Sequence, residues 1–174
     1  AHRDLVDKLV FFQPVYPGIG ARWFGPDRVG EIWYMNFHQL PLAEELVGSS
    51  SQATEIYLRH FLSHWSYDKE LWTDGEVQRY VEAFSQPGAL RGGFNCYRAM
   101  FRTMGQGQEG DPKIYAPTLV LWAENDPILP AAWSDKLPDF FPNLTLRTVP
   151  ECGHWVQREK PDLVNQAIAE FIAS

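Results

Sequence analysis

Three short, nearly unbroken apolar runs constrain this fold more than any other feature of the chain. They lie at Asp7–Pro14 (Asp-Lys-Leu-Val-Phe-Phe-Gln-Pro), Pro117–Ala123 (Pro-Thr-Leu-Val-Leu-Trp-Ala) and Leu144–Val149 (Leu-Thr-Leu-Arg-Thr-Val). Such runs suit strands buried on both faces, the condition of a parallel sheet covered by helices. Helical patterns follow the second and third runs. Pro130–Leu137 reads as a short helix, and Pro161–Ala173 as an amphipathic closing helix with Leu163, Val164, Ile168 and Phe171 on one face. Strand, helix, strand, helix is the rhythm of an α/β sheet.

About 100 residues of different character separate the first run from the second. Arg28–Phe37, Ser51–Leu62, Thr73–Phe84 and Gly88–Met104 read as helices. Thr73-Asp74-Gly75-Glu76 has the pattern of a capping box, and Pro87-Gly88 punctuates the step between the last two helices. Gly105–Lys113, rich in glycine, glutamine and charge, reads as a return linker. The expected organisation is therefore a sheet-forming core over 1–14 and 115–174, interrupted by a helical insertion over 15–114. Three parallel strands cannot cover themselves, and the first would turn an unpaired apolar edge to water. Ala1–Val6 reads as the tail of a helix. The expectation is the second half of a larger domain, whose other half is the required partner.

Composition narrows the partners. A net charge of -7 argues against nucleic acid and anionic membranes. No apolar run approaches the ~18 residues of a membrane span, and no signal peptide is visible. Cys96 and Cys152 make neither a disulfide framework nor a metal-ligand spacing, so a reducing cytoplasm is expected. Seven Trp, seven Tyr and eleven Phe suit either an aromatic core or an apolar cavity for a small organic molecule.

The chemistry concentrates near the C-terminus. His154, in Val149-Pro150-Glu151-Cys152-Gly153-His154-Trp155, stands on a turn after the third run. Asp126, in Glu124-Asn125-Asp126-Pro127, follows the second run 28 residues earlier. Ligand sites of open α/β sheets form at that edge. On neighbouring strands the carboxylate could accept the Nδ1 proton, fix the tautomer and stabilise an imidazolium. A surface histidine and an ordinary Asn-Asp-Pro turn would leave the same trace, so spacing alone keeps both readings open.

Residues 117–129 (Pro-Thr-Leu-Val-Leu-Trp-Ala-Glu-Asn-Asp-Pro-Ile-Leu) resemble the acid-bearing strand and loop of α/β-hydrolases, and residues 150–158 resemble their histidine turn. Phe84–Ala99 resembles the cap of the epoxide hydrolase branch, close to the haloacetate dehalogenases. The resemblance runs across nearly the whole chain, with the motifs in the family's order. It implies the C-terminal half of an α/β-hydrolase fold with a helical cap inserted between sheet strands. It also implies a nucleophilic Asp on an elbow upstream of Ala1, forming an alkyl-enzyme ester that water activated by His154, oriented by Asp126, then cleaves. Tyr97 matches a cap tyrosine that donates to the epoxide oxygen as the ring opens. The second donor position falls on Trp33 in one register and on Tyr34 in the other. Epoxide hydrolases usually carry Tyr there and haloacetate dehalogenases a His-Trp pair, so the substrate stays open between an epoxide and a small haloacid. An esterase with a Ser nucleophile, and a binding module that lost the chemistry, complete the alternatives.

Other candidates are weaker. Gly48-Ser49-Ser50-Ser51-Gln52 lacks the second glycine of a nucleophile elbow. Ser63-His64 are neighbours that do not face one another on a helix. Cys152 reads as a small residue filling a turn. No metal or organic cofactor is implied, because His154, Asp126 and water suffice for ester hydrolysis.

Overall fold

The computed structural model describes residues 5–103 and 111–174. The first four residues of the expected helix tail, the end of the expected Gly88–Met104 helix and most of the expected linker lie outside the described residues. Two compact units are present. One comprises Ala1–Gly25, Trp65–Asp68 and Glu109–Ser174, the other Pro26–His64 and Lys69–Gln108.

The first unit contains a parallel sheet of β1 (Leu9–Phe12), β2 (Thr118–Ala123) and β3 (Leu144–Val149), in that spatial order. Leu9 pairs with Thr118 and Phe12 with Leu121; Thr118 pairs with Leu144 and Ala123 with Val149. Only the central strand is buried along its whole length. Among the described residues β1 and β3 are margins, with Phe12 and Leu146 exposed. The expectation of burial on both faces thus holds for β2 alone. β3 keeps only Val149 fully inside, because an edge strand has one neighbour to cover it.

Leu119, Leu121 and Ala123 from β2 meet Val149, Cys152, Val156, Val164 and Ala167 in one cluster. Val156 belongs to α7 (Val156–Glu159), and Val164 and Ala167 to α8 (Pro161–Ala173). Burying each such Val or Leu is worth about 1.5–3 kcal/mol. The α8 face differs from expectation at one position. Leu163 is exposed, and the small Ala167 packs inward where the helix lies close to the sheet. The Lys8 ammonium donates to the Phe171 and Ile172 carbonyls at 2.8 and 2.9 Å, satisfying the C-terminal end of α8. Pro130–Leu137 folds as a 3-10 turn over Ala131–Lys136 running into α6 (Leu137–Phe140).

The second unit is helical: α1 (Val29–Phe37), α2 (Pro41–Val47), most of α3 (Ser51–Trp65), α4 (Asp74–Phe84) and α5 (Ala89–Thr103). α2 was not anticipated. Pro41 at its first turn starts it, since proline's fixed φ suits that position. The capping box forms as expected: the Thr73 hydroxyl accepts from the Glu76 N–H, and the Glu76 carboxylate accepts from the Thr73 N–H. Gly88 takes φ +81° in the step before α5, a conformation glycine adopts freely. No described helix is long and apolar enough to cross a membrane.

Candidate active site

The C-terminal ends of β2 and β3 carry the two candidate residues, Asp126 and His154. Beyond β2 the backbone stays stitched to the histidine turn: the Glu124 N–H donates to the Val149 carbonyl at 3.0 Å, and the Asn125 N–H to the Cys152 carbonyl at 3.0 Å. Asp126 then turns inward and is buried. Its Oδ1 accepts the Ile128 and Leu129 N–H groups at 2.8 and 3.0 Å, the local bonding that makes Asp a turn former. The Trp122 indole donates to the Leu129 carbonyl at 2.9 Å and pins the far side of the loop.

Asp126 Oδ2 faces His154 Nδ1 at 2.8 Å. An ionised carboxylate only accepts, so Nδ1 carries the proton and Nε2 is the basic nitrogen. The imidazole is about a quarter exposed, whereas the carboxylate is fully covered. Trp65 and Trp155 each pack edge-on against the ring, with centroids 5.1 Å away. A general base needs this combination: one nitrogen oriented, the other open to a reacting group.

Two features hold the turn. Glu151 takes φ +49°, which lets the chain reverse after β3. Gly153 lies where a side chain would strike the backbone of residues 65–67. The His154 N–H donates to the Trp65 carbonyl at 2.8 Å. One carboxylate, Glu159, accepts from the Gly153 N–H at 2.9 Å and the Tyr67 N–H at 2.8 Å, tying the turn to that segment.

Gln13 was missed by sequence reasoning. It follows β1 and is buried, and its amide donates to Asp126 Oδ2 at 3.1 Å and to the His154 carbonyl at 3.4 Å. Its φ of +35° is unusual for a non-glycine residue and costs about 1 kcal/mol. A Gln ending an apolar run carries no signature of this role.

The candidate donors lie in the helical unit. Tyr34 is buried, and its ring meets Tyr97 edge-on at 5.4 Å. Burial raises the Tyr97 phenol above its ordinary pKa, and a hydrogen bond with Tyr34 partly offsets this. Trp33 points elsewhere. It is 38% exposed and stacks on Phe61 at 5.9 Å. Of the two registers, only the Tyr34 one brings a polar side chain against Tyr97.

The rejected candidates have other engagements. His64 pairs with Glu31 at 2.8 Å rather than with Ser63. Cys152 is buried, and burial pushes its thiol up to about 12, far from a reactive thiolate. Both cysteines are free. Among the described residues no group of three or more His, Cys, Asp or Glu could hold a metal ion. Clefts of about 570 Å³ in the helical unit and about 630 Å³ beside Pro17–Arg22 are lined by none of Gln13, Trp33, Tyr34, Tyr97, Asp126 and His154. The geometry at His154, not cleft size, therefore locates the candidate chemistry.

Comparison with known proteins identifies the fold. A family model described as "alpha/beta hydrolase fold" matches residues 22–161. Epoxide hydrolase 4 of Homo sapiens is 27% identical over 175 residues, covering 97% of this chain and 47% of the relative. The AB hydrolase superfamily protein YfhM of Bacillus subtilis (strain 168) is 36% identical over 102 residues, covering 59% of this chain and 35% of the relative. The solved structure titled "Epoxide hydrolase CorEH without ligand" is similar with a TM-score of 0.83 at 25% identity, covering 98% of this chain and 60% of that one. The chain thus spans about half the length, or less, of these curated relatives.

Proposed function

The chain belongs to the alpha/beta hydrolase fold family, and from that premise we propose that it carries the water-activating half of an epoxide hydrolase-like enzyme. The reaction is hydrolysis of a small organic epoxide through an alkyl-enzyme ester. The nucleophilic carboxylate belongs to a segment outside these residues, which also pairs with the open edge of β1. Relatives named epoxide hydrolases support the hydrolase reading, and their greater length leaves room for such a segment.

The observation that carries the proposal is the 2.8 Å contact between His154 Nδ1 and Asp126 Oδ2 at the ends of adjacent parallel strands. In the second half-reaction Nε2 takes a proton from water as its oxygen attacks the ester carbonyl. The imidazolium that forms is stabilised by the Asp126 carboxylate. The ester's acyl–oxygen bond then breaks as the imidazolium gives its proton to the departing oxygen. The second proton of the water passes to the oxygen of the opened ring, so the diol leaves and the nucleophilic carboxylate and neutral His154 are restored. Tyr34 and Tyr97 offer paired phenol donors, the groups needed by an oxygen whose negative charge grows as an epoxide opens. That pairing favours an epoxide over a haloacid, because it sets two phenols together while the indole of Trp33 lies against Phe61 instead. A small-molecule substrate and a cytoplasmic setting belong to the same proposal.

Single turnover in ¹⁸O-water, with enzyme in excess over epoxide, tests the mechanism. An ester intermediate leaves the diol unlabelled and places the label in an enzyme carboxylate. Label in the first-turnover diol would mean direct attack of water on the epoxide and would sink the proposal.

A further inference from the structure

Asp126 has two oxygens and about four acceptor directions. Three are filled by the Ile128 and Leu129 N–H groups and by His154 Nδ1. The fourth is filled by Gln13, which shares Oδ2 with the histidine and whose amide also reaches the His154 carbonyl. Gln13 arrives from β1, the strand on the other side of β2 from the histidine turn. The carboxylate is therefore fastened by groups from three separate segments.

We infer that Gln13 is a positioning residue for the His154–Asp126 pair: its amide holds the carboxylate so that Oδ2 stays aimed at Nδ1. A neutral donor is the fitting choice. A cation here would neutralise the charge that the imidazolium needs, and an apolar side chain would leave a buried lone pair unmatched. The positive φ at Gln13 supports the same conclusion. Glycine would relax that backbone but would supply no amide, so the strain is retained together with the contact. The inference deepens the hydrolase reading, and its kinetic consequences rest on it; the hydrogen-bond consequences do not.

The test uses Gln13→Leu and Gln13→Glu in the intact protein, with two readouts. The first is the proton resonance of His154 Nδ1–H, and the second is the pH profile of the catalytic rate. Gln13→Leu should broaden the Nδ1–H signal through faster exchange with solvent. It should also lower kcat about 10-fold with KM little changed, as expected for a loosened catalytic group. Gln13→Glu places two carboxylates side by side, so one of them keeps its proton to higher pH. While that proton remains, the introduced carboxyl still donates to Asp126 and the rate stays near that of the parent. The rate then falls as rising pH removes it. A packing role alone gives no such new descending limb. An unchanged Nδ1–H signal and unchanged kcat in Gln13→Leu, or a Gln13→Glu profile parallel to the parent's, overturns the inference. If the parent hydrolyses no epoxide yet the Nδ1–H signal responds as described, the positioning role stands and the hydrolase reading is what fails.

Discussion

Replacing Gly153 with Ala should damage the histidine turn by an amount the geometry allows to be worked out. The added Cβ would lie 2.3 Å from the Trp65 carbonyl oxygen, 2.6 Å from the Tyr67 nitrogen and 2.8 Å from the Ser66 carbonyl carbon. All three are backbone atoms, so no flexible side chain can swing aside. Relieving the overlap means moving the turn away from residues 65–67, at about 1–3 kcal/mol for overpacking. The same displacement stretches the His154 N–H bond to the Trp65 carbonyl, worth about 1 kcal/mol. It also strains the two bonds to the Glu159 carboxylate, each worth about 1.5–3 kcal/mol when fully lost. With those partly retained, the total is roughly 3–5 kcal/mol, or on the order of 10 °C in Tm for a chain of this size. Scanning calorimetry of the intact protein measures it. Gly92→Ala in α5 is the control, because nothing lies within 4 Å of its new Cβ. Helix propensity predicts that this control gains about 0.5–1 kcal/mol. A Gly153→Ala protein melting within about 2 °C of the parent would refute the close approach and the reasoning built on it.

Acid should weaken the helical unit through His38, which is buried against Phe94 and whose pKa is lowered to about 4 by burial and by the nearby Arg98 charge. The unfolded chain binds the proton first, so stability is full above about pH 6.5 and declines as pH falls towards 4. The loss is at most about 3 kcal/mol; urea titrations across that window should show this slope, and His38→Gln should flatten it. Thiol labelling at pH 8 should modify the exposed Cys96 readily and leave Cys152 untouched until the protein is denatured. Equal labelling rates in the native state would contradict the burial of Cys152. Thr73→Ala removes the capping hydroxyl of α4 and should cost about 0.5–2 kcal/mol in a chemical denaturation series.

Much of this architecture was legible because its signals are local. β2 announces itself as an apolar run bounded by Pro117 and the Asn125-Asp126-Pro127 turn, and α8 by Pro161 and its apolar stripe. Asp126 and His154 were legible because each stands on turn residues directly after a strand. What escaped depends on contacts between distant segments. Gln13 meets Asp126 across 113 residues, and Glu159 meets Tyr67 across 92; no pattern in a single segment marks either side chain. The ambiguity between Trp33 and Tyr34 had the same origin. Adjacent helical positions differ by about 100°, and only the packing of α1 against α5 tells which one meets Tyr97. Leu163 was misjudged for a simpler reason. Apolar spacing gives the face of a helix but not how closely that face approaches the sheet, and there it is the small Ala167 that is buried against β2 residues.

The central claim is that His154, oriented by Asp126, removes a covalent ester. The direct measurement is the intact denatured mass of the His154→Gln protein after exposure to saturating epoxide. The substitution spares ester formation and blocks its hydrolysis, so the mass should rise by one equivalent of substrate and stay raised, while the parent returns to its original mass. A His154→Gln protein that turns over at the parent's rate, or that shows no added mass while the parent remains active, would contradict the account.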